Sequence, residues 1–139
     1  MGIRNRARQS CLQILYQIEL SKVKCEPAIE DYFSSNEFQP LHREFSEFLV
    51  KGVLNKMPEI DMVISKYAKN WGINRMAVID RNILRMGVFE LIYAEDIPPR
   101  VSINESVELA KMFGDIDSPK FINGILDSVF RKEINPVRE

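Results

Sequence analysis

Apolar residues recur along almost the whole chain at spacings of three and four, and no segment alternates apolar and polar residues with a period of two. Spacings of three and four place apolar side chains on one face of an α-helix, whereas a half-buried strand needs a period of two. The pattern therefore predicts an all-α protein. With 139 residues, 45% of them apolar, the chain is long enough for one domain with a hydrophobic core.

Prolines and glycines divide this pattern into seven predicted helices. They cover residues 5–22, 27–33, 41–57, 58–67, 75–94, 102–114 and 118–132, and residues 133–139 are predicted to form a frayed tail. Segment 75–94 is the longest, and its wide apolar arc predicts a position at the centre of the fold.

Local signals suggest how these helices begin and end. Gly72 is predicted to stop the fourth helix in a left-handed conformation. Ser102 and Glu105 have the spacing of a capping box at a helix start. Ser118 is predicted to be an N-cap, with Pro119 in the first helical position.

The composition leaves little for metal, thiol or membrane chemistry. Cys11, Cys25 and the single histidine, His42, are too few for a disulfide framework or a structural zinc site. Cys11 falls among apolar positions and is expected to be a buried thiol. We expect no cofactor. No apolar run is long enough for a membrane span or a secretory signal, so we expect a cytoplasmic protein without membrane contact.

Charge is distributed unevenly along the chain. The net charge is −1, yet residues 1–18 hold Arg4, Arg6 and Arg8 and no acidic residue. Such asymmetry indicates an end that binds a polyanion.

Helical projection gives this opening helix a core face and an exposed strip. Ala7, Cys11, Ile14, Leu15 and Ile18 are predicted to face the core, and Arg6, Ser10, Gln13 and Gln17 to face solvent, with Tyr16 on a further row. Arginine binds phosphate, glutamine pairs with base edges and tyrosine stacks on bases. The strip therefore suits RNA or DNA. A solvated face of accidental charge is the alternative, and Arg8 is equally suited to an internal salt bridge.

A second candidate site lies at the start of the last helix. Phe121 and Lys120 stand beside a helix N-terminus, where a base can stack while backbone N–H groups meet a phosphate. Lys111, Phe113 and Arg100 are candidates to join them. Alternatively, Phe121 staples its helix to the preceding turn.

The central helix raises a separate question about Asp80. By projection this carboxylate falls within an apolar arc, so we expect it to pair with an arginine or to contact a partner protein. Gly87 on the same face implies a close approach of another helix, because mid-helix glycine is otherwise unfavourable.

Three segments, in order, resemble the bacterial transcription antitermination factors of the NusB family. They are "RARQSCLQILYQIELS", "IDRNILRMGVFELIY" and "IPPRVSINESVELAKMFGDIDSPKFINGILD", and together they span residues 6–127. The resemblance implies a single NusB-like domain of two small helical bundles packed across each other, here 1–58 and 59–132. It also implies a protein without catalytic activity.

The same resemblance implies a function and its partners. Family members bind the boxA element of ribosomal RNA transcripts together with the ribosomal protein NusE, in an RNA-polymerase complex with other Nus factors. By position, the implied RNA-binding residues are Arg4, Arg6, Arg8, Tyr16, Arg100, Lys111, Asp117, Lys120 and Phe121, and Asp80 matches the NusE-facing side. Asn5 stands where the family often has arginine, so we expect weak RNA binding that NusE completes.

Two other functions remain open at this point. The chain is also compatible with a protein-binding helical adaptor or a homodimer without a direct RNA role. NusB-like domains also occur as the RNA-binding part of ribosomal RNA methyltransferases, although no methyltransferase segment or glycine-rich cofactor loop is found in this sequence.

Overall fold

The computed structural model of the protein describes residues 2–135, and these residues form seven α-helices and no strand. The helices are α1 (Ile3–Ser21), α2 (Cys25–Ser34), α3 (Pro40–Asn55), α4 (Met57–Tyr67), α5 (Val78–Tyr93), α6 (Pro99–Phe113) and α7 (Ser118–Val129). A 3₁₀ turn, Ile73–Arg75, precedes α5, and a π-helical turn, Phe130–Ile134, follows α7. The predicted all-α class and the number of α-helices are confirmed.

The chain divides into two compact units, Met1–Asn55 and Lys56–Glu139. We call them the N-terminal unit, which contains α1 to α3, and the C-terminal unit, which contains α4 to α7. The division falls three residues before the predicted one.

Three helices enclose the core of the N-terminal unit. α1 packs against α3 and α2, and the core between them contains Ala7, Cys11, Leu12, Ile14, Leu15, Ile29, Phe33, Leu49, Val50 and Val53. Cys11 is a fully buried free thiol, as predicted. Ile18, predicted to face the core, is only half-buried.

Helix α5 is the central element of the C-terminal unit. It packs against α4, α6 and α7, and every residue from 81 to 91 is buried. Gly87 permits this packing, because a Cβ atom there would lie 2.7 Å from Cδ1 of Leu126 and 2.9 Å from Oγ of Ser106. The close helix approach predicted at Gly87 is therefore confirmed.

The helix ends differ from prediction in several places. The longest helix is α1, with 19 residues, because α5 begins only at Val78 and has 16. Gly72 has φ of −58° and is not a left-handed stop. α4 ends at Tyr67, as predicted, where the N–H of Ala68 bonds the carbonyl of Ile64, so Gly72 is not the residue that ends it.

The two predicted serine caps are also wrong. α6 begins at Pro99, so Ser102 lies inside the helix, where its buried Oγ donates a hydrogen bond to Oε1 of Glu90 at 2.8 Å. Pro98 and Pro99 start this helix instead, because proline already has a helical φ. In α7 the N-cap is Asp117, and Oγ of Ser118 accepts the N–H of Asp115 at 3.0 Å.

The π-helical turn extends into the segment that was predicted as a tail. Its Glu133 carboxylate accepts hydrogen bonds from Nζ of Lys66 at 2.9 Å and from the Tyr67 hydroxyl. These bonds join the turn to the end of α4. The last four residues of the predicted tail, 136–139, lie outside the described residues. No helix within residues 2–135 has the length and apolar character needed to cross a membrane.

Candidate nucleic-acid interface

The exposed strip of α1 carries the first group of predicted RNA-binding residues. Arg4, Arg6, Gln13 and Tyr16 all have exposed side chains, with Tyr16 39% exposed. The first turn of α1 contains no acidic residue, and Gly2 at the N-cap has no side chain to bond its N–H groups. Arginines and helix N–H groups therefore occur at the same end of α1, where both attract phosphate.

Arg8 differs from the other two arginines because its side chain is only 4% exposed. Its guanidinium carbon lies 5.3 Å from the centroid of the Phe45 ring, and that of Arg4 lies 4.8 Å from the same centroid. Arg8 was predicted to face RNA, but the structure places it inside the N-terminal unit. Sequence reasoning missed the role of Phe45, because its spacing marks only an apolar face of α3.

Ser10, predicted for the exposed strip, is also buried, with 3% of its surface accessible. Its Oγ lies 2.8 Å from Nε2 of His42 on α3 and 3.0 Å from the hydroxyl of Tyr32 on α2. Ser10 thus joins all three helices of the N-terminal unit. Burial lowers the pKa of His42, and the nearby positive charge of Arg6 lowers it further.

Four predicted residues lie at the joint between α6 and α7, which we call the α6–α7 corner (residues 111–121). Lys111 is in the last turn of α6, and Asp117, Lys120 and Phe121 are at the start of α7. The two lysines and Asp117 are exposed, and Phe121 is half-buried. Nζ of Lys111 lies 3.0 Å from Oε2 of its helix neighbour Glu108, an exposed pair that phosphate can displace.

Arg100 does not lie at this corner. It occupies the first turn of α6, about 16 Å along the helix axis from Lys111 at a rise of about 1.5 Å per residue. Its Nη2 lies 3.8 Å from Oδ1 of Asp127, and its guanidinium carbon lies 5.8 Å from the centroid of the Phe130 ring. The structure therefore separates Arg100 from the other residues with which the sequence grouped it.

Asp80 lies in the first turn of α5 and is half-buried. Its Oδ1 is buried and has no hydrogen-bond partner among residues 2–135. The predicted arginine pairing is thus not formed at this oxygen. Arg85, on the same helix, donates Nε and Nη2 to Asp61 at 2.9 and 3.0 Å, and Arg81 donates to backbone carbonyls.

Comparison with known proteins gives consistent matches over almost the whole chain. The NusB family profile matches residues 5–131. A transcription antitermination protein NusB from Myxococcus xanthus is 46% identical over 133 residues, which cover 93% of this chain and 95% of that protein. The NusB protein of Bacillus subtilis is 44% identical over 126 residues, which cover 91% of this chain and 93% of that protein.

Solved structures agree with these relatives. A structure of T. maritima NusB superposes with a TM-score of 0.84 at 35% identity, covering 91% of this chain and 89% of that one. A crystal structure of antitermination factors NusB and NusE in complex with dsRNA superposes with a TM-score of 0.86 at 28% identity, covering 95% of this chain and 98% of that one. Because the family profile matches most of the chain and the relatives are more than 40% identical, the chain belongs to the NusB family.

Proposed function

We propose that this protein is a transcription antitermination factor that binds the boxA element of ribosomal RNA transcripts together with the ribosomal protein NusE. It acts within an RNA-polymerase antitermination complex that contains other Nus factors. Its relatives are transcription antitermination proteins, and one structural neighbour is a complex of NusB, NusE and dsRNA. The observation that carries the proposal is the exposed arginine and glutamine strip at the acid-free start of α1.

In the N-terminal unit, we assign phosphate contacts to Arg4 and Arg6 and base contacts to Gln13 and Tyr16. The guanidinium groups provide charge and directed donors, and the glutamine amide provides both a donor and an acceptor. Tyr16 offers an aromatic face to an unstacked base. We assign no RNA contact to Arg8, because its side chain is buried against Phe45, beneath the exposed strip.

In the C-terminal unit, the α6–α7 corner provides the second contact. Lys111 and Lys120 attract the phosphate backbone, and Phe121 stacks on a base. The carboxylate of Asp117 accepts a hydrogen bond from a base amino group. Arg100, at the other end of α6, contacts a different part of the strand.

Asp80 is the residue that we assign to NusE. Its buried Oδ1 lacks a hydrogen-bond partner among the described residues, and such an oxygen is costly unless a donor reaches it. Because the residue is only half-buried, a cationic or amide donor from NusE would bind the accessible part of this carboxylate and offset its charge. The proposed action is binding without catalysis, in the cytoplasm where transcription takes place.

Titration of labelled boxA RNA, with and without NusE, at two salt concentrations tests the proposal. We expect weak binding by the protein alone, tighter binding with NusE, and an affinity that falls with salt by about 0.7 log units per log unit for each phosphate contact on a single strand. NusE binding without any salt-sensitive RNA binding would contradict the proposal and favour a protein adaptor.

A further inference from the structure

We propose that Phe45 is a positioning residue for RNA binding, because its ring holds the side chain of Arg4 toward the phosphate. This inference rests on the proposed function. The guanidinium carbons of Arg4 and Arg8 lie 4.8 and 5.3 Å from the centroid of one ring. Both distances fall within the range in which a cation is attracted to the face of an aromatic ring.

The two arginines share this ring because they stand one helical turn apart on α1. Guanidinium groups at this spacing repel each other. The negative face of the Phe45 ring attracts both. A carboxylate there would also attract them, but it would repel phosphate as well. An aromatic ring holds the arginines without introducing an anion.

Packing and a hydrogen bond between α3 and α1 fix the position of the Phe45 ring relative to α1. Phe45 is buried, and the next residue, Ser46, donates a hydrogen bond from its buried Oγ to the backbone carbonyl of Ala7 at 2.8 Å. This bond links α3 to α1 between the turns that carry Arg4 and Arg8. Leu49 and Val50 of α3 are fully buried and keep the helix in place.

An arginine side chain has many rotamers, and binding a phosphate restricts them. Contact with the ring restricts Arg4 before RNA arrives, so less entropy is lost on binding. We expect this preorganisation to raise RNA affinity about 2- to 10-fold, the range expected for one exposed cation–π contact and one ordered side chain.

The test compares replacements at Phe45 with a matched control on the same helix. Phe45→Leu and Phe45→Met remove the ring but keep an apolar side chain, and Phe45→Tyr keeps the ring. Leu41→Ala is the control, because Leu41 is 62% exposed on α3 and has not been assigned to RNA binding. For each variant we would measure boxA RNA affinity, urea unfolding, and the NMR shifts of the Arg4 side chain, which the ring current displaces.

We expect a folded Leu or Met variant to lose about 2- to 10-fold in affinity and to move the Arg4 resonances toward random-coil values. Tyr should restore both, and Leu41→Ala should change neither. In an Arg4→Gln background, Phe45→Met should cause no further loss of affinity. If wild type binds RNA and the Leu and Met variants bind it with wild-type affinity, the inference is overturned. It is also overturned if Phe45→Met lowers the affinity by the same factor in the Arg4→Gln background as in wild type. Absence of RNA binding by wild type would instead overturn the proposed function, and the Arg4 shifts would still report whether the ring positions Arg4.

Discussion

Oγ of Ser10 lies 2.8 Å from Nε2 of His42, in the buried interior of the N-terminal unit. The contact joins α1 to α3, and the Tyr32 hydroxyl, 3.0 Å from the same Oγ, adds α2. A neutral imidazole can accept or donate in this contact, whereas a protonated ring can only donate. The stability of the unit should therefore depend on pH.

Lowering the pH from 7.5 to 5.5 should destabilise the protein through His42. Burial and the charge of Arg6 lower the folded-state pKa of His42, so the unfolded chain takes up a proton more readily near pH 6.5. The stabilisation is complete above that pH and is lost as pH falls through the folded-state pKa. Urea unfolding at both pH values should show a smaller pH effect for His42→Gln than for wild type. Equal pH effects in the two proteins would show that His42 does not control the transition.

Replacing Arg6 and Arg8 separately should produce different losses, although the sequence groups them together. Arg6 is exposed, so Arg6→Ala should weaken boxA binding and change the free energy of unfolding by less than about 0.5 kcal/mol. Arg8 is buried against Phe45, so Arg8→Ala should lower stability by about 1–3 kcal/mol. RNA titration and urea unfolding of both variants measure this contrast. An Arg8→Ala protein as stable as wild type would contradict the structural role and favour a role of Arg8 in RNA binding.

Phe121→Ala should weaken RNA binding by about 1–3 kcal/mol if a base stacks on this ring. Ile116→Ala is the matched control, since Ile116 lies at the same α6–α7 corner and is 94% exposed. Fluorescence titration with boxA RNA should separate the two variants. Equal affinities for wild type and Phe121→Ala would favour a ring that only staples α7 to the preceding turn.

Asp80→Lys should reduce NusE association more than it reduces binding of RNA alone. The substitution places a positive charge where we assign a donor from NusE to the half-buried carboxylate. Glu95→Gln is a control at an exposed acidic position of the same unit. Calorimetry with NusE measures association, and thermal unfolding reports folding. Normal NusE binding by the Asp80→Lys protein would show that Asp80 is not part of the surface that binds NusE.

Gly87→Ala and Gly124→Ala should change stability in opposite directions. A methyl group at Gly87 would lie 2.7 Å from Leu126, which should cost about 1–3 kcal/mol. At Gly124, inside α7, no atom lies within 4 Å of the added Cβ, so alanine should gain up to about 1 kcal/mol from helix propensity. Urea unfolding measures both changes. A neutral Gly87→Ala substitution would mean that α5 and α7 can separate at no cost.

Periodicity was sufficient to predict what depends on one helix alone. The seven helices follow from spacing together with the prolines and glycines, the buried thiol of Cys11 follows from spacing, and the close approach follows from Gly87 on an apolar face. The errors concern groups that bond to distant residues. Ser10 and Arg8 lie at polar edges of the α1 projection, and only α2 and α3 show that both are buried.

The same reason explains the errors at the helix ends and in the second candidate site. Ser102 is a capping residue by local spacing, but Glu90, from a different helix, accepts its hydroxyl hydrogen. Arg100 and Lys111 are close in sequence, yet a helix separates them by about 16 Å. Side-chain pairing across helices has no signature in a single sequence.

Ultraviolet cross-linking of the protein to boxA RNA, followed by mass spectrometry of the attached peptides, tests the central claim most directly. Attachment points should concentrate on the exposed strip of α1, residues 4–16, and on the α6–α7 corner, residues 111–121. Cross-links spread evenly over the surface, or confined to other helices, would contradict the assignment of these two surfaces to RNA.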